Sequence, residues 1–201
     1  MIKLTEFREN IFKALRFYDI DHFALSLDET HKYVLNRTIK SLKPKTIDEV
    51  RDLTQKKLAD TLEKINDCNS YLANSVNVIV LSHFEAFVDD ILRGVFKSDP
   101  KLLDEYHKGE EFEKAVENEL FFYHKKSYFN KVRYFKNRLG IDWSKHKDKI
   151  ATINKLRNDF LHREKNFSFT QRNILAIIFA VLKMADDIAQ QASKKYGLKT
   201  S

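Results

Sequence analysis

The chain has 201 residues and a formal net charge of +7, with 43% hydrophobic and 32% charged residues. This composition provides the core of one large domain, or of one domain with an extension, and excludes a disordered chain. Four glycines and two prolines are too few for a protein rich in tight turns, so long helices are favoured over a sheet. The basic charge favours a polyanionic partner: nucleic acid, an acidic protein or anionic lipid.

Several classes of protein are disfavoured by what the sequence lacks. The single cysteine, Cys68, excludes an internal disulfide and a cysteine-based zinc site. The first residues turn polar at once, and the longest apolar run, residues 174–182, is too short to span a bilayer, so we expect a cytoplasmic protein without membrane contact. No phosphate-binding loop, dinucleotide motif or metal-ligand spacing of histidines occurs, so we expect no cofactor and no metal.

The spacing of apolar residues in the first half predicts helices over about residues 3–18 and 21–42, the second ending before Pro44. Thr46 and Glu49 then form a capping box, in which the hydroxyl and the carboxylate satisfy backbone amides at a helix start. The helical pattern that follows reaches about residue 97. One long helix and two helices with a break within 66–75 fit this pattern equally well.

The second half predicts shorter helices and no strand, because no β alternation lasts more than a few residues. Two short helices are expected within 101–126, separated near Gly109, and another over 127–139, stopped by Gly140. A further helix begins at Ser144 or Lys145 and ends near Arg163, and the last begins at a capping box of Ser168 and Gln171 and ends before Gly197. The fold class is therefore all-α, a helical bundle.

The helix over 147–163 carries the candidate chemistry. At about 100° per residue, Asn158 and His162 lie on one polar face, and Arg157 borders the apolar arc and can lean toward them. Arginine offers a planar fork of donors to a phosphate, histidine exchanges protons near neutral pH, and asparagine orients either partner. RNA supplies its own nucleophile, the 2′-OH, so cyclising cleavage requires no metal. The predicted apolar arc consists of Ile150, Ile153, Leu156, Phe160 and Leu161.

A plainer interpretation of the same residues is a solvated helix face. Arg157 and His162 would then form ion pairs with Asp159 or Glu164, and Asn158 would be an ordinary surface amide. In either case Asp159 is expected to face away from the site, as a salt-bridging or solvated residue.

The segment Arg157-Asn158-Asp159-Phe160-Leu161-His162 resembles the R-N-x-x-x-H form of the motif of HEPN nucleases. It lies in a late helix followed by a strongly apolar one, as in that superfamily. Residues 82–87 resemble the early HEPN helix, nearest to the RiboL-PSP-HEPN-like branch, which carries a polar or acidic residue there. The resemblance covers about residues 70–195, and residues 1–67 lie outside it. It implies a helical bundle that is often a homodimer, with two motifs facing across the interface.

The resemblance also implies metal-independent RNA cleavage, typically in toxin–antitoxin or phage-defence systems, although some HEPN members are inactive and only bind. It divides the chain into an N-terminal helical extension, 1–67, packing on a HEPN-type bundle, 68–201. His162 would be the general base or acid, Arg157 the phosphate stabiliser and Asn158 the positioning group. The product would be a 2′,3′-cyclic phosphate. Glu85 is interpreted either as a residue that orients Arg157 or His162, or as a partly buried ion pair with a basic residue.

The most basic stretch of the chain covers residues 124–149, where nine basic and two acidic residues give a net charge of +7, equal to that of the whole chain. Positive charge tracks a phosphate backbone, and aromatic rings can stack on unpaired bases, although core packing is the simpler interpretation of the rings. The predicted RNA-binding residues are Lys125, Lys126, Lys131, Arg133, Lys136 and Arg138. The interleaved aromatic residues are Tyr128, Phe129, Tyr134, Phe135 and Trp143.

The sequence thus favours an endoribonuclease of HEPN type, acting on RNA as a homodimer, with an antitoxin or defence protein as a further partner. The alternative is a non-catalytic HEPN-like module that binds RNA or an acidic protein through residues 124–149. A third hypothesis is a helical scaffold with neither activity.

Overall fold

A computed structural model describes residues 3–24, 32, 36, 46–104, 111–163, 167 and 171–199. These residues form helices joined by short turns, and no strand occurs among them. The prediction of an all-α helical bundle is confirmed. In the described ranges, no helix has the length and apolar character needed to cross a membrane.

The first helix, α1, covers Leu4–Ala24 and lies against the long helix α2, Ile47–Ser98. Apolar spacing explains this packing, because Phe7 and Ile11 are buried on one face of α1 and the ring of Phe7 contacts Phe87 at 4.9 Å between centroids. Most of the helix predicted over 21–42 lies outside the described residues. Its first four positions belong to α1, which continues without the expected interruption.

Helix α2 settles the choice between one helix and two, because it continues unbroken through 52 residues. The predicted cap is present: the Thr46 hydroxyl accepts a hydrogen bond from the amide of Glu49 at 3.2 Å. The domain boundary predicted between residues 67 and 68 falls inside this helix. Its second half enters the core with Val80, Phe84 and Ile91, among other residues.

Short elements follow α2: α3 at Lys101–Asp104, α4 at Phe112–His124 and α5 at Tyr128–Tyr134. Gly109 lies outside the described residues. A short π-helical stretch, Phe135–Leu139, extends α5 and ends at Gly140. Gly140 has φ +61°, a left-handed conformation that glycine adopts without strain, as predicted for a residue that closes a helix.

The last two helices complete the bundle. A 3₁₀ turn, Ser144–His146, leads into α6, Lys147–Arg163, and α7 covers Gln171–Tyr196. The capping box predicted at Ser168 lies outside the described residues, whereas Gly197 follows the end of α7 with φ +66°. Helix α7 packs against α2 and α1, and Arg8 of α1 donates to Asp186 of α7 at 2.7 Å.

One hydrophobic core connects these helices, with Trp143 completely buried between Phe84 and Phe135. Ile150 and Ile153 of α6 enter this core, as their spacing predicts. The prediction for Leu161 is wrong, because 48% of its surface is exposed.

Candidate functional site

The centre of the candidate site is an ion pair between α6 and α2. The guanidinium Nη1 of Arg157 donates to the carboxylate Oε2 of Glu85 at 3.0 Å, although the two residues lie 72 positions apart. Both side chains are partly buried, at 20% exposure for Arg157 and 26% for Glu85. The basic partner of Glu85 is therefore Arg157, as the interpretation of a partly buried ion pair requires. The interpretation in which Glu85 orients Arg157 for catalysis stays a prediction.

Helix α5 holds the other carboxylate oxygen of Glu85. The hydroxyl of Tyr128 donates to Oε1 at 2.7 Å, and the ammonium of Lys131 lies 3.7 Å from the same oxygen. This helix begins where the Ser127 hydroxyl accepts from the amide of Asn130, which places Tyr128 in the first turn. Three donors on two helices thus converge on one carboxylate.

The protonation states in this cluster follow from burial and charge. Burial alone would raise the pKa of Glu85, but the hydrogen bond from Tyr128 and the charges of Arg157 and Lys131 outweigh it, so the pKa is lowered. Burial lowers the pKa of Lys131, and burial together with the Glu85 charge raises the pKa of Tyr128. At neutral pH Glu85 is therefore an anion facing a neutral phenol donor.

The remaining two motif residues lie on the same helix but outside this cluster. His162 is exposed, and no hydrogen bond or ion pair joins it to another described residue. Asn158 is half-buried. The buried Nε of Arg157 has no hydrogen-bond partner in the described part of the chain. A single chain thus presents a guanidinium held by Glu85 and, five positions along α6, an exposed imidazole without a partner among the described residues.

Asp159 is enclosed by neighbouring groups, with 7% of its surface exposed. Of the two forms expected for Asp159, salt-bridging or solvated, the solvated one is wrong, because this face of α6 turns into the protein. Asp159 keeps an interaction with a neighbouring group there.

The six predicted RNA-binding residues separate into two groups. Lys131 is buried against Glu85, and Arg138 pairs with Glu119 at 3.3 Å and donates to the carbonyl of Leu102. Since both cations are engaged inside the protein, the prediction that they contact RNA does not fit their positions. The side chains of the other four reach solvent to different extents: Lys125, Lys126, Arg133 and Lys136.

The aromatic residues of the basic stretch also divide. Tyr128, Phe135 and Trp143 are buried, and Tyr134 is half-buried and donates to Glu119 at 2.6 Å. Phe129 differs from these four because its ring is 56% exposed. Helical periodicity explains this difference, since residues 128 and 129 lie about 100° apart around the axis of α5.

A second charged cluster, at the start of α6, was not predicted from the sequence. The ring Nε2 of His146 lies 2.6 Å from Asp187 of α7, and the ammonium of Lys145 lies 2.8 Å from the same carboxylate. Burial would raise the pKa of Asp187, but its hydrogen bonds with Lys145 and His146 lower it below the usual value. His146 is only 7% exposed, so this pair joins α7 to the 3₁₀ turn.

The structure also tests for metal ligands and grooves near the motif. Among the described residues, no group of three or more histidine, cysteine, aspartate or glutamate side chains is placed to hold a metal ion. A groove of about 680 Å³ lies between α6 and α7, and it is lined by Ile153, Leu156 and Ile177 among others. The motif residues Arg157, Asn158 and His162 are not among the residues that line this groove.

The sequence could not indicate the roles of Tyr128 and Lys131, because only the fold brings α5 to Glu85. Comparison with known proteins adds no relative: no protein-family model, no curated protein and no solved structure matches the chain.

Proposed function

We propose that this protein is a metal-independent endoribonuclease of HEPN type. The observation that carries the proposal is the 3.0 Å contact between Arg157 and Glu85. It joins the two segments on which the resemblance to HEPN nucleases rests, the early helix with an acidic residue and the late helix with the R-N-x-x-x-H motif. A guanidinium fixed in this way is oriented before a substrate arrives, which lowers the entropic cost of binding a phosphate.

Arg157 keeps donors for a substrate after it has bound Glu85. A guanidinium carries five N–H donors, and the contact with Glu85 uses the Nη1 end. The Nε is buried, so it is the remaining N–H groups of the two Nη nitrogens that match phosphate oxygens and stabilise the charge that builds up on phosphorus in the transition state. Asn158, one residue along α6, is the positioning group for the ribose or the phosphate.

His162 supplies the proton transfer. The 2′-oxygen of the ribose attacks the adjacent phosphorus while the imidazole takes the 2′-OH proton, and the bond from phosphorus to the 5′-oxygen breaks. The 5′-oxygen takes a proton from water and leaves as a 5′-hydroxyl, the imidazolium later returns its proton to water, and the other fragment keeps a 2′,3′-cyclic phosphate. General acid–base catalysis of this kind contributes roughly 10²–10⁴-fold to a rate.

A homodimer suits this site, because His162 is exposed on one chain and a second copy would enclose the phosphate. Enclosure excludes water and strengthens the interaction between the guanidinium and the phosphate. The biological role we propose is that of a cytoplasmic toxin or phage-defence effector, regulated by an antitoxin or another defence protein.

RNA cleavage in EDTA tests the proposal. The wild-type chain is expected to cut RNA to fragments with 2′,3′-cyclic phosphate ends, and His162→Ala to lower the rate at least about 100-fold. His83→Ala is the matched control, since His83 lies about 200° around α2 from Glu85 and takes no part in the site. No cleavage by the wild type, or equal cleavage by the wild type and His162→Ala, would reject the nuclease.

A second candidate function is RNA binding without cleavage. The observation that favours it is that Glu85 already neutralises Arg157, while Lys125, Lys126, Arg133 and Lys136 lie toward the surface. This function predicts RNA binding that weakens with salt and survives His162→Ala, with no cut product. Neutralising those four basic residues together would abolish the binding.

A further inference from the structure

One exposed ring in the basic stretch has an unusual setting. The phenyl ring of Phe129 is 56% exposed, and two cations from different helices lie over it. The guanidinium carbon of Arg133 is 5.8 Å from the ring centroid, and the ammonium of Lys147 is 5.7 Å from it. Arg133 belongs to α5 and Lys147 is the first residue of α6, so the ring marks the junction of these two helices.

The same combination of ring and cation recurs at the end of α4. Phe121 and Phe122 are 57% and 53% exposed, and the ammonium of Lys125 lies 4.0 Å from the centroid of Phe121. Only the turn 125–127 separates α4 from α5, so this second pair precedes Phe129 by a short stretch of chain. Single exposed apolar residues are common on soluble proteins, whereas exposed aromatic rings beside positive charge are the combination found in grooves that bind single-stranded nucleic acid.

We infer that Phe129, Arg133 and Lys147, continued by Phe121 and Lys125, form a binding surface for unpaired nucleotides of single-stranded RNA. An aromatic face stacks on a base, and the adjacent cations bind the phosphates on either side of it. A paired helix hides its bases, so a duplex can use only the cations. An acidic protein could likewise use the cations, and an acidic peptide is therefore one of the ligands in the binding test. The choice of RNA rests on the proposed function.

The surface and the candidate catalytic site are connected through neighbouring residues. Phe129 points outward, whereas Tyr128 beside it donates to Glu85, the carboxylate that holds Arg157. Along α6, Lys147 and Arg157 are ten residues apart, which is about 15 Å of helix rise. At about 3.4 Å per stacked nucleotide, roughly four nucleotides cover this distance. The surface would therefore select substrates with unpaired bases a few nucleotides from the cleaved bond.

Binding of an uncleavable RNA tests the inference separately from catalysis. The full chain is titrated into a fluorescein-labelled 2′-O-methyl RNA strand without secondary structure, which lacks the nucleophile that the proposed reaction needs. Fluorescence anisotropy then reports Kd for the single strand, for its perfect duplex and for an acidic peptide of matched charge. We expect the single strand to bind at least about tenfold more tightly than the duplex.

Two variants separate stacking from charge. Phe129→Ala is expected to weaken single-strand binding about tenfold and to leave the salt dependence unchanged, because it removes a stacking face and no charge. Lys147→Gln is expected to reduce the slope of log Kd against log salt by about 0.7, the value for one phosphate contact on a single strand. The matched control is Phe179→Ala, which removes an equally exposed ring, at 62% exposure, from the groove between α1 and α7.

The outcomes distinguish this inference from the nuclease proposal. Tight single-strand binding that depends on Phe129 supports the surface even if the wild type cleaves no RNA. Equal binding of single strand and duplex, an unchanged Kd for Phe129→Ala, or an equal loss for Phe179→Ala would overturn it. Tighter binding of the acidic peptide would also overturn it. Circular dichroism of each variant confirms that the exposed substitutions leave the helices intact.

Discussion

His146 lies in the turn before α6 and His162 lies in the last turn of α6, and the two differ in the two properties that a proton-transfer group needs. His146 has a carboxylate partner, Asp187 at 2.6 Å, but it is only 7% exposed. His162 is exposed, and among the described residues it has no carboxylate partner. A histidine–aspartate pair is therefore not in itself a sign of catalysis, because the pair of His146 and Asp187 joins α7 to the turn before α6. Access to a substrate distinguishes the two histidines.

The two carboxylates on these parts of the molecule, Asp187 and Glu85, differ as well. Asp187 holds Lys145 and His146 where helices meet, whereas Glu85 holds Arg157 on the helix that also carries exposed His162. We therefore expect changes at Asp187 to affect stability alone, and changes at Glu85 to affect stability and RNA cleavage together. Variants at Asp187 and Glu85 show whether stability and cleavage separate in this way.

The largest effect is expected from Glu85→Gln. The substitution leaves Arg157 and Lys131 partly buried without a countercharge, which we expect to lower the free energy of unfolding by about 2 kcal/mol. Cleavage per folded molecule should also fall, since Arg157 loses the group that orients it. Urea denaturation and the EDTA cleavage assay measure the two effects.

Glu117→Gln provides the matched control for Glu85→Gln. Glu117 pairs with Arg93 at 2.6 Å, but it is 61% exposed, so its removal should cost much less stability than Glu85→Gln and leave cleavage unchanged. Equal losses of stability in the two variants would show that burial of the Glu85 cluster has no energetic consequence.

An intermediate effect, confined to stability, is expected from Asp187→Asn. We expect a loss of about 1.5 kcal/mol at neutral pH, without a change in cleavage per folded molecule. Because the pKa of Asp187 is lowered in the folded state, its contribution is complete above the unfolded value of about 3.9 and is lost as pH falls through the folded value. The difference in free energy of unfolding between wild type and Asp187→Asn should therefore shrink below pH about 4.

Urea denaturation at neutral and acidic pH measures this dependence. Asp186→Asn serves as the control, because Asp186 pairs with Arg8 nearer the surface, at 35% exposure. If the difference in free energy of unfolding between wild type and Asp187→Asn widens at acidic pH, that result would contradict the assignment of a stabilising anion at Asp187.

The smallest effect is expected from Tyr128→Phe, which removes one hydrogen bond to Glu85 and keeps the ring. We expect a loss of about 1 kcal/mol of stability. The pKa of Glu85 should rise, because the hydrogen bond from Tyr128 is the largest of the interactions that lower it. A carboxyl NMR titration of the wild type and the variant measures this shift, and an unchanged pKa would show that Tyr128 does not hold Glu85.

Local rules predicted much of the fold from the sequence. The cap at Thr46, the helix end at Gly140 and the apolar spacing of Ile150 and Ile153 each depend on a few neighbouring residues, and the structure confirms each. Leu161 shows the limit of such rules: helical periodicity places it on the apolar face, but burial also requires a neighbour there.

The candidate site shows the limit more clearly. The spacing of Arg157 and His162 was visible in the sequence, and Glu85 could be proposed because a charge inside an apolar helix requires a partner. The sequence did not identify Tyr128 as the donor to Glu85 or Lys131 as a buried cation. Both depend on how α5 packs against α2, which involves residues more than 40 positions apart.

The proposed reaction requires Arg157 and His162 to act together on one phosphate. The direct measurement is the rate of RNA cleavage in EDTA for wild type, Arg157→Gln, His162→Ala and the double variant, each confirmed as folded. The effects of substitutions at residues that act as a unit are not additive. We therefore predict that the cleavage rate falls at least about 100-fold in each single variant and falls no further in the double variant. Losses that multiply in the double variant, or a wild-type chain that leaves RNA intact, would contradict the account.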